Sequence, residues 1–238
     1  MIVLLLLLKV YLVIMRDLSI KIKLTPGLYL KDPDSTELGK RIISNSIVLI
    51  NELGFEKFTF KKLSKKINSP ESSIYRYFEN KHLLLIYLTS WYWSWIEYRV
   101  VLSVININNN LDKLDKAIDI LTMPVNEDKS FSYINEVILD KIIIAESVKS
   151  FHTKEVDVEN KKGCFESYKK LVTRLAQMIL DVNPDYKYPH MLITTVIEGA
   201  HQQRYFSEHL PKLTDTIKTE DTIVAFYKEL VQKMISSK

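Results

Sequence analysis

An all-α fold is expected for this 238-residue chain on three observations. Apolar residues recur three and four positions apart in successive runs, only five glycines punctuate the whole sequence, and no Asn-Gly or Asp-Gly pair marks a hairpin. Hydrophobic residues make up 47% of the chain, enough for a packed core, and the length suits one larger helical domain or an ordinary domain with a small one. The single cysteine, Cys164, closes no internal disulfide, so nothing marks an oxidising compartment. The net charge of +4 is local: between Lys57 and His82 seven cations face only Glu71 and Glu79.

The chain opens on MIVLLLLLKVYLVIM, Met1–Met15, apolar but for Lys9. This is shorter than the roughly 20 residues of a spanning helix, and it lacks the leading cations and small-residue cleavage site of an export signal. The expected reading is an overextended reading frame with Met15 as the start; a membrane or export signal is the alternative. Ile20, Ile22 and Leu24 alternate with lysines as a weak strand-like arm, and Pro26, Gly27 and Pro33 keep the chain extended up to Asp34. Residues 1–33 are therefore leader and arm.

Asp34 or Ser35 suits the N-cap of a first helix in which Leu38, Ile42, Ile43, Val48, Leu49 and Leu53 recur at helical spacing, with Gly54 as its stop. Thr59 suits the N-cap of a second helix, Phe60 to Ile67, with Phe58 and Leu63 placed to form a hydrophobic staple. This helix carries Lys61, Lys62, Lys65 and Lys66 and ends at Asn68, a residue that tolerates a left-handed turn. After a turn of two or three residues, Ser69 as N-cap and Pro70 as first helical residue start a third helix. On it Pro70, Ile74, Tyr77 and Phe78 gather on an inner side, while Ser72, Ser73 and Arg76 face away with Tyr75 and Glu71 on the flanks. Small hydroxyls, a phenol and a guanidinium are groups that bond phosphates and base edges.

Asn80 suits the cap of a long helix from Lys81 to about Ile105, apolar on almost all sides and so expected at the centre of a helical body. Further helices are expected at about 111–122, 131–150, 159–182, 187–208 and 219–236, separated by Pro124, a charged loop, Pro184 and Pro211.

Two short helices on a tight turn, between a longer helix and a long apolar one, describe a helix-turn-helix unit. Over Thr36 to Leu88 the sequence resembles the TetR family of bacterial one-component regulators. The residues that carry the resemblance are GFEKFTFKKLSKKINSPESSIYRYFENKHLLLIYL: the Gly-aromatic pair after the first helix, Thr59, Tyr75-Arg76-Tyr77-Phe78, and Lys81 with Leu84. Departures from the family pattern are Asn68 for the turn glycine, Ser64 for an alanine, Ser69 for an apolar residue and Tyr77 for a frequent histidine. The resemblance implies a helix-turn-helix DNA-binding domain over 34–80 and a helical ligand-binding and dimerisation domain over 81–238. It also implies a homodimer on a double-stranded DNA operator, with the last two long helices as the dimer surface, a small and apolar effector, and a cytoplasmic repressor.

By family position Thr59, Tyr75, Tyr77 and Lys81 are DNA-contact candidates, mostly to phosphate. Ser72 and Ser73 fall where base edges are approached, and Lys61, Lys62 and Arg76 complete the candidate set. The lysines of the second helix supply the salt-dependent, sequence-independent part of such affinity, although alone they also read as a solvated face. Tyr77 lies on the inner side, so packing and phosphate bonding compete for it. Trp91, Trp95 and Tyr98, at i, i+4 and i+7, are candidates for lining a ligand pocket; an aromatic stripe at that spacing is also ordinary core. Glu146, His190, Glu198 and His201 are scattered polar residues that either face such a pocket or are structural. The five histidines form no pair at metal-ligand spacing, and neither a nucleophile elbow nor a glycine-rich phosphate loop is present. No cofactor, metal or catalytic residue is expected. The competing readings are a membrane-attached helical protein and an all-α enzyme or scaffold that does not bind DNA.

Overall fold

A computed structural model describes residues 22, 24–25, 27–128, 131, 133–217 and 219–236, and the described residues are helical without a strand. The apolar leader and most of the expected arm lie outside them. The elements are α1 (Glu37–Leu53), α2 (Phe60–Lys66), α3 (Glu71–Tyr75), α4 (Lys81–Val104), α5 (Asn110–Thr122) and α6 (Glu136–Glu146). They continue with α7 (Val148–Phe151), α8 (Val156–Lys161), α9 (Glu166–Val182), α10 (Pro189–His209) and α11 (Thr222–Ile235), and short 3-10 turns lie at Pro33–Ser35 and Pro211–Leu213.

Helix α1 starts at neither expected cap. Thr36 takes the role, accepting the Gly39 N–H at 3.0 Å, because Asp34 is engaged elsewhere: its carboxylate accepts the hydroxyls of Tyr133 at 2.5 Å and Tyr87 at 3.4 Å. Asp32 instead caps the 3-10 turn through the Asp34 N–H. Thr59 and Asn80 cap α2 and α4 as expected, accepting the N–H groups of Lys62 and Leu83. Helix α2 ends in a Schellman motif: Asn68 stands in the left-handed region at φ 46°, its N–H bonds the Lys65 carbonyl, and the Ser69 N–H reaches back to Ser64. Ser69 is thus part of the turn rather than a cap, and Pro70 precedes the first residue of α3. The regular part of α3 is five residues long; the expected continuation to Phe78 is a tightened last turn in which the Tyr77 and Phe78 N–H groups both bond the Ile74 carbonyl.

The central helix behaves as its all-round apolarity requires. From Leu84 to Val100 most of α4 is buried, surrounded by α5, α6, α7 and α9. Two expected helices are broken. The run expected over 131–150 starts at Glu136, capped by Asn135, and is interrupted at Ser147. The run expected over 159–182 divides at Gly163, φ 81°, where a second Schellman motif (Gly163 N–H to Asn160, Cys164 N–H to Glu159) closes α8 before α9 begins. Helices α10 and α11 pack on α5 and on each other, close enough that a Cβ on Gly199 would stand 2.3 Å from the Tyr227 hydroxyl.

Candidate nucleic-acid interface

The outer face of α3 is held in place by its inner one. Ile74, Tyr77 and Phe78 are buried among Phe58, Phe60 and Leu63 of the preceding loop and helix, and the Tyr75 ring rests edge-on against Phe60 with centroids 5.1 Å apart. What remains outside is Ser72, Tyr75 and Arg76 exposed and Ser73 half-buried, with Arg76 and both serine hydroxyls lacking a hydrogen-bond or ion-pair partner among the described residues. The Tyr75 hydroxyl makes one long bond, 3.4 Å, to Glu71.

The cations divide into free and engaged. Lys57, Lys61 and Lys65 are exposed and have no ion-pair partner among the described residues, whereas Lys66 faces Glu52 at 3.6 Å and the Lys62 ammonium donates to the Lys57 carbonyl at 2.7 Å. Three of the expected contact residues hold the shape of the head. Tyr77 is 3% exposed and its hydroxyl lies 2.7 Å from that of Thr36, so it ties α3 to the start of α1. The exposed Thr59 hydroxyl accepts the Lys62 N–H as a cap and keeps its own proton to donate. Lys81 extends into the loop before α2 and donates to the carbonyls of Phe55, Glu56 and Phe58 at 3.0 to 3.4 Å, with its ammonium over the Phe55 ring.

Sequence reasoning missed Lys31 and Arg41. Lys31 is exposed with its ammonium 5.3 Å from the Tyr77 ring centre, and the next residue back, Leu30, donates its N–H to the Tyr77 carbonyl, so the end of the arm runs along the C-terminal end of α3. The Arg41 guanidinium donates to the Ile67 carbonyl at the turn. Nothing local in the sequence signals either contact, since each joins segments at least 26 residues apart.

One carboxylate of the helical body grips the head, and a second braces the start of α4. Glu146, at the end of α6, accepts the Phe55 N–H at 3.1 Å and pairs with Lys149, which also reaches Glu56 at 3.2 Å. Glu159 on α8 is buried and bonds His82 in the first turn of α4 at 2.8 Å. Glu146, a scattered polar residue in the sequence, is thus a tie between body and head.

The expected ligand stripe is mostly core. Trp91 and Trp95 are 1% and 0% exposed and stacked on each other; Trp91 meets Phe131 edge-on, and the Trp95 indole donates to Asp128 at 3.1 Å. Neither borders the groove or the small cavity that flank this helix. Tyr98, one turn on, edges an open groove of about 1420 Å³ between α4 and α9. A separate enclosed cavity of about 20 Å³, room for little more than a water, is bordered by Trp93, Cys164, Tyr168 and Glu198. Glu198 accepts the Tyr168 hydroxyl there, and His201 stacks on the other side of Trp93 with its Nδ1 unpartnered. Burial alone lowers the His201 pKa to about 4 and raises that of the Cys164 thiol, to which Glu159 adds. His190 is exposed. Among the described residues no cluster of His, Cys, Asp and Glu is placed to hold a metal ion, and no helix is long and apolar enough to cross a membrane.

Residues 42–88 match the model of the bacterial regulatory proteins of the tetR family. Three solved structures share the fold. The fatty acid degradation regulator FadR from Bacillus halodurans is 14% identical, with a TM-score of 0.54 over 83% of this chain and 98% of that one. AibR in complex with isovaleryl coenzyme A and operator DNA is 15% identical, with a TM-score of 0.53 over 82% and 97%. The superantigen PfiT is 13% identical, with a TM-score of 0.55 over 85% and 97%. A comparison with curated protein sequences finds no match. The chain therefore carries a tetR-type helix-turn-helix on a helical body of the architecture these proteins share.

Proposed function

We propose, from the tetR-type helix-turn-helix and the helical body that carries it, that this chain is a cytoplasmic, homodimeric transcriptional regulator, a repressor, whose grip on duplex operator DNA is set by a small effector in the C-terminal body. The observation that supports it best is the outer face of α3: two serine hydroxyls and a guanidinium without a partner among the described residues, and a phenol held by one long bond, on a helix anchored firmly from behind. Ser72 and Ser73 approach base edges, Tyr75 and Arg76 take phosphate or base, and Lys61, Lys62, Lys57 and Lys65 supply the phosphate attraction. Thr59, Tyr77 and Lys81 set the angle at which α3 is presented. Residues 34–80 are the DNA-binding unit and 81–238 the regulatory one.

AibR, crystallised with both a coenzyme A thioester and operator DNA, supports an effector acting through the body. The effector would favour whichever head spacing it binds better, weakening operator binding by its differential affinity for the two forms. The test is selection of genomic duplexes by the purified protein, followed by gel shift. Wild type should retain a fragment with affinity falling steeply as salt rises. Arg76→Ala or Tyr75→Ala should lose that fragment while sedimenting as wild type does; unchanged binding by both would refute the assignment.

A further inference from the structure

The groove between α4 and α9 is larger than roughly 300–1,000 Å³, the usual span of a small-molecule site, and its two faces differ in chemistry. Its floor is apolar: Tyr98, Val101 and Val104 from the second half of α4, the exposed Ile105 just past its end, Met178 from α9 and Ile22 from the arm. Lys113, Lys169, Lys170 and Arg174 stand along its sides with three carboxylates, Glu97, Glu166 and Asp181. Two of the acids are engaged locally, Glu166 with Lys169 at 3.0 Å and Asp181 with the Gln177 amide at 2.9 Å.

Glu97 is the exception in an otherwise apolar helix. Its side chain is 9% exposed, and a carboxylate so placed requires a partner. It has two: the Arg174 Nε at 2.8 Å on one oxygen and the Lys170 ammonium at 3.2 Å on the other. One negative charge therefore fixes two positive ones, and the cluster keeps a net positive charge facing the groove. Arg174 meets Glu97 through Nε alone, so its two terminal amino groups have no partner among the described residues and present the fork that takes a carboxylate or phosphate.

We propose that this groove binds an amphiphilic anion, its acyl chain along the Tyr98–Ile105 floor and its carboxylate or phosphate on Arg174 and Lys170. The inference rests on the regulator reading, in which this molecule is the effector. Its floor belongs to the helix whose first residue, Lys81, holds the head by donating to the carbonyls of the loop before α2. A chain seated there bears directly on the element that positions α3.

The test uses the full chain and titration calorimetry with hexadecanoate, hexadecanoyl-coenzyme A, coenzyme A alone and the neutral 1-hexadecanol. One of the two anionic amphiphiles should bind saturably, one per chain, at least tenfold more tightly than hexadecanol. Lys170→Gln, whose side chain is 68% exposed and which leaves Glu97 its Arg174 partner, should weaken that binding about tenfold. Val104→Trp, which fills the floor from a half-buried position, should remove it. Tighter binding of the free acid assigns the head to a carboxylate; tighter binding of the thioester, with coenzyme A alone weak, assigns it to phosphate. The inference is overturned if neither anion binds, if hexadecanol binds equally well, or if both variants bind as wild type does. Gel shifts on the same preparations separate the two readings: operator binding without amphiphile binding sinks only this one, and amphiphile binding without operator binding sinks only the regulator.

Discussion

Single residues show where local chemistry decides the structure and where a distant partner overrides it. Asn68 was legible as the turn residue, because a side chain that tolerates positive φ is a property of the residue itself. Asp34 was misread as a helix cap, because the two tyrosines that claim it lie 53 and 99 positions away. Gly39 is decided by space: a Cβ there would meet the Pro33 carbonyl oxygen at 2.2 Å, and backbone does not yield as a side-chain tip does. Gly39→Ala should cost about 1–3 kcal/mol, as overpacking does, and lower the melting temperature by several degrees in calorimetry. His201 gives a pH dependence. Its imidazole stays neutral in the folded chain down to about pH 4, while the unfolded chain protonates near 6.5, so stability falls as the pH drops through that window. The loss approaches about 3 kcal/mol at the lower end. Asp140 and Glu136, whose burial raises their carboxyl pKa values, act in the opposite sense. The effect is therefore read as a difference: denaturant unfolding at pH 7 and pH 4.5 should show a smaller pH loss in His201→Phe than in wild type.

Among the elements, α2 and α4 are legible almost to the residue because their caps and stops, Thr59, Asn68 and Asn80, lie within a turn of the backbone they satisfy, whereas α3 is legible as a helix but not in its cap or length. The breaks at Ser147 and Gly163 were not, since apolar spacing continues through both and the Schellman turn at Gly163 shows only in the backbone. The same limit hid the long-range carboxylate contacts. Glu146 reads as a scattered polar residue, and Glu159 and Glu97 carry no signal in the sequence, yet each meets a partner at least 77 positions distant. Helix α6 reaches the DNA-binding head through Glu146, and removing that carboxylate leaves the Phe55 N–H without an acceptor and Lys149 without one of its two anions. Glu146→Ala should loosen the loop from Gly54 to Phe58 by about 1–2 kcal/mol. Amide exchange should quicken there and in α2, while α9 to α11 exchange as in wild type; protection unchanged at Phe55 would show that the tie carries no weight.

For the whole molecule, the question left by one chain is what covers α10 and α11. Their inner faces are complete, with Leu192, Ile193, Val196 and Ile197 meeting Ile223, Tyr227 and Val231 in the core. Their outer faces are mixed rather than wholly polar: beside exposed Gln202, Glu229 and Lys233, the large apolar side chains Met191, Tyr205, Phe226 and Met234 are 38% to 67% exposed on the same two helices. The close approach at Gly199 fixes the pair as one surface, so a second copy related by a two-fold axis would meet it with the same surface and form a four-helix bundle. Two heads on one particle would also suit a helix as short as α3, because a single five-residue reader makes few contacts and linking two of them would raise operator affinity. Phe226→Glu places a charge at the centre of that surface without touching the core. Sedimentation should show two chains per particle for wild type and one for the variant, with circular dichroism unchanged and operator affinity reduced by about 10²-fold or more, in the range lost when linkage between two sites is broken. A wild-type protein that sediments as a single chain at micromolar concentration yet binds its operator tightly would rule this arrangement out.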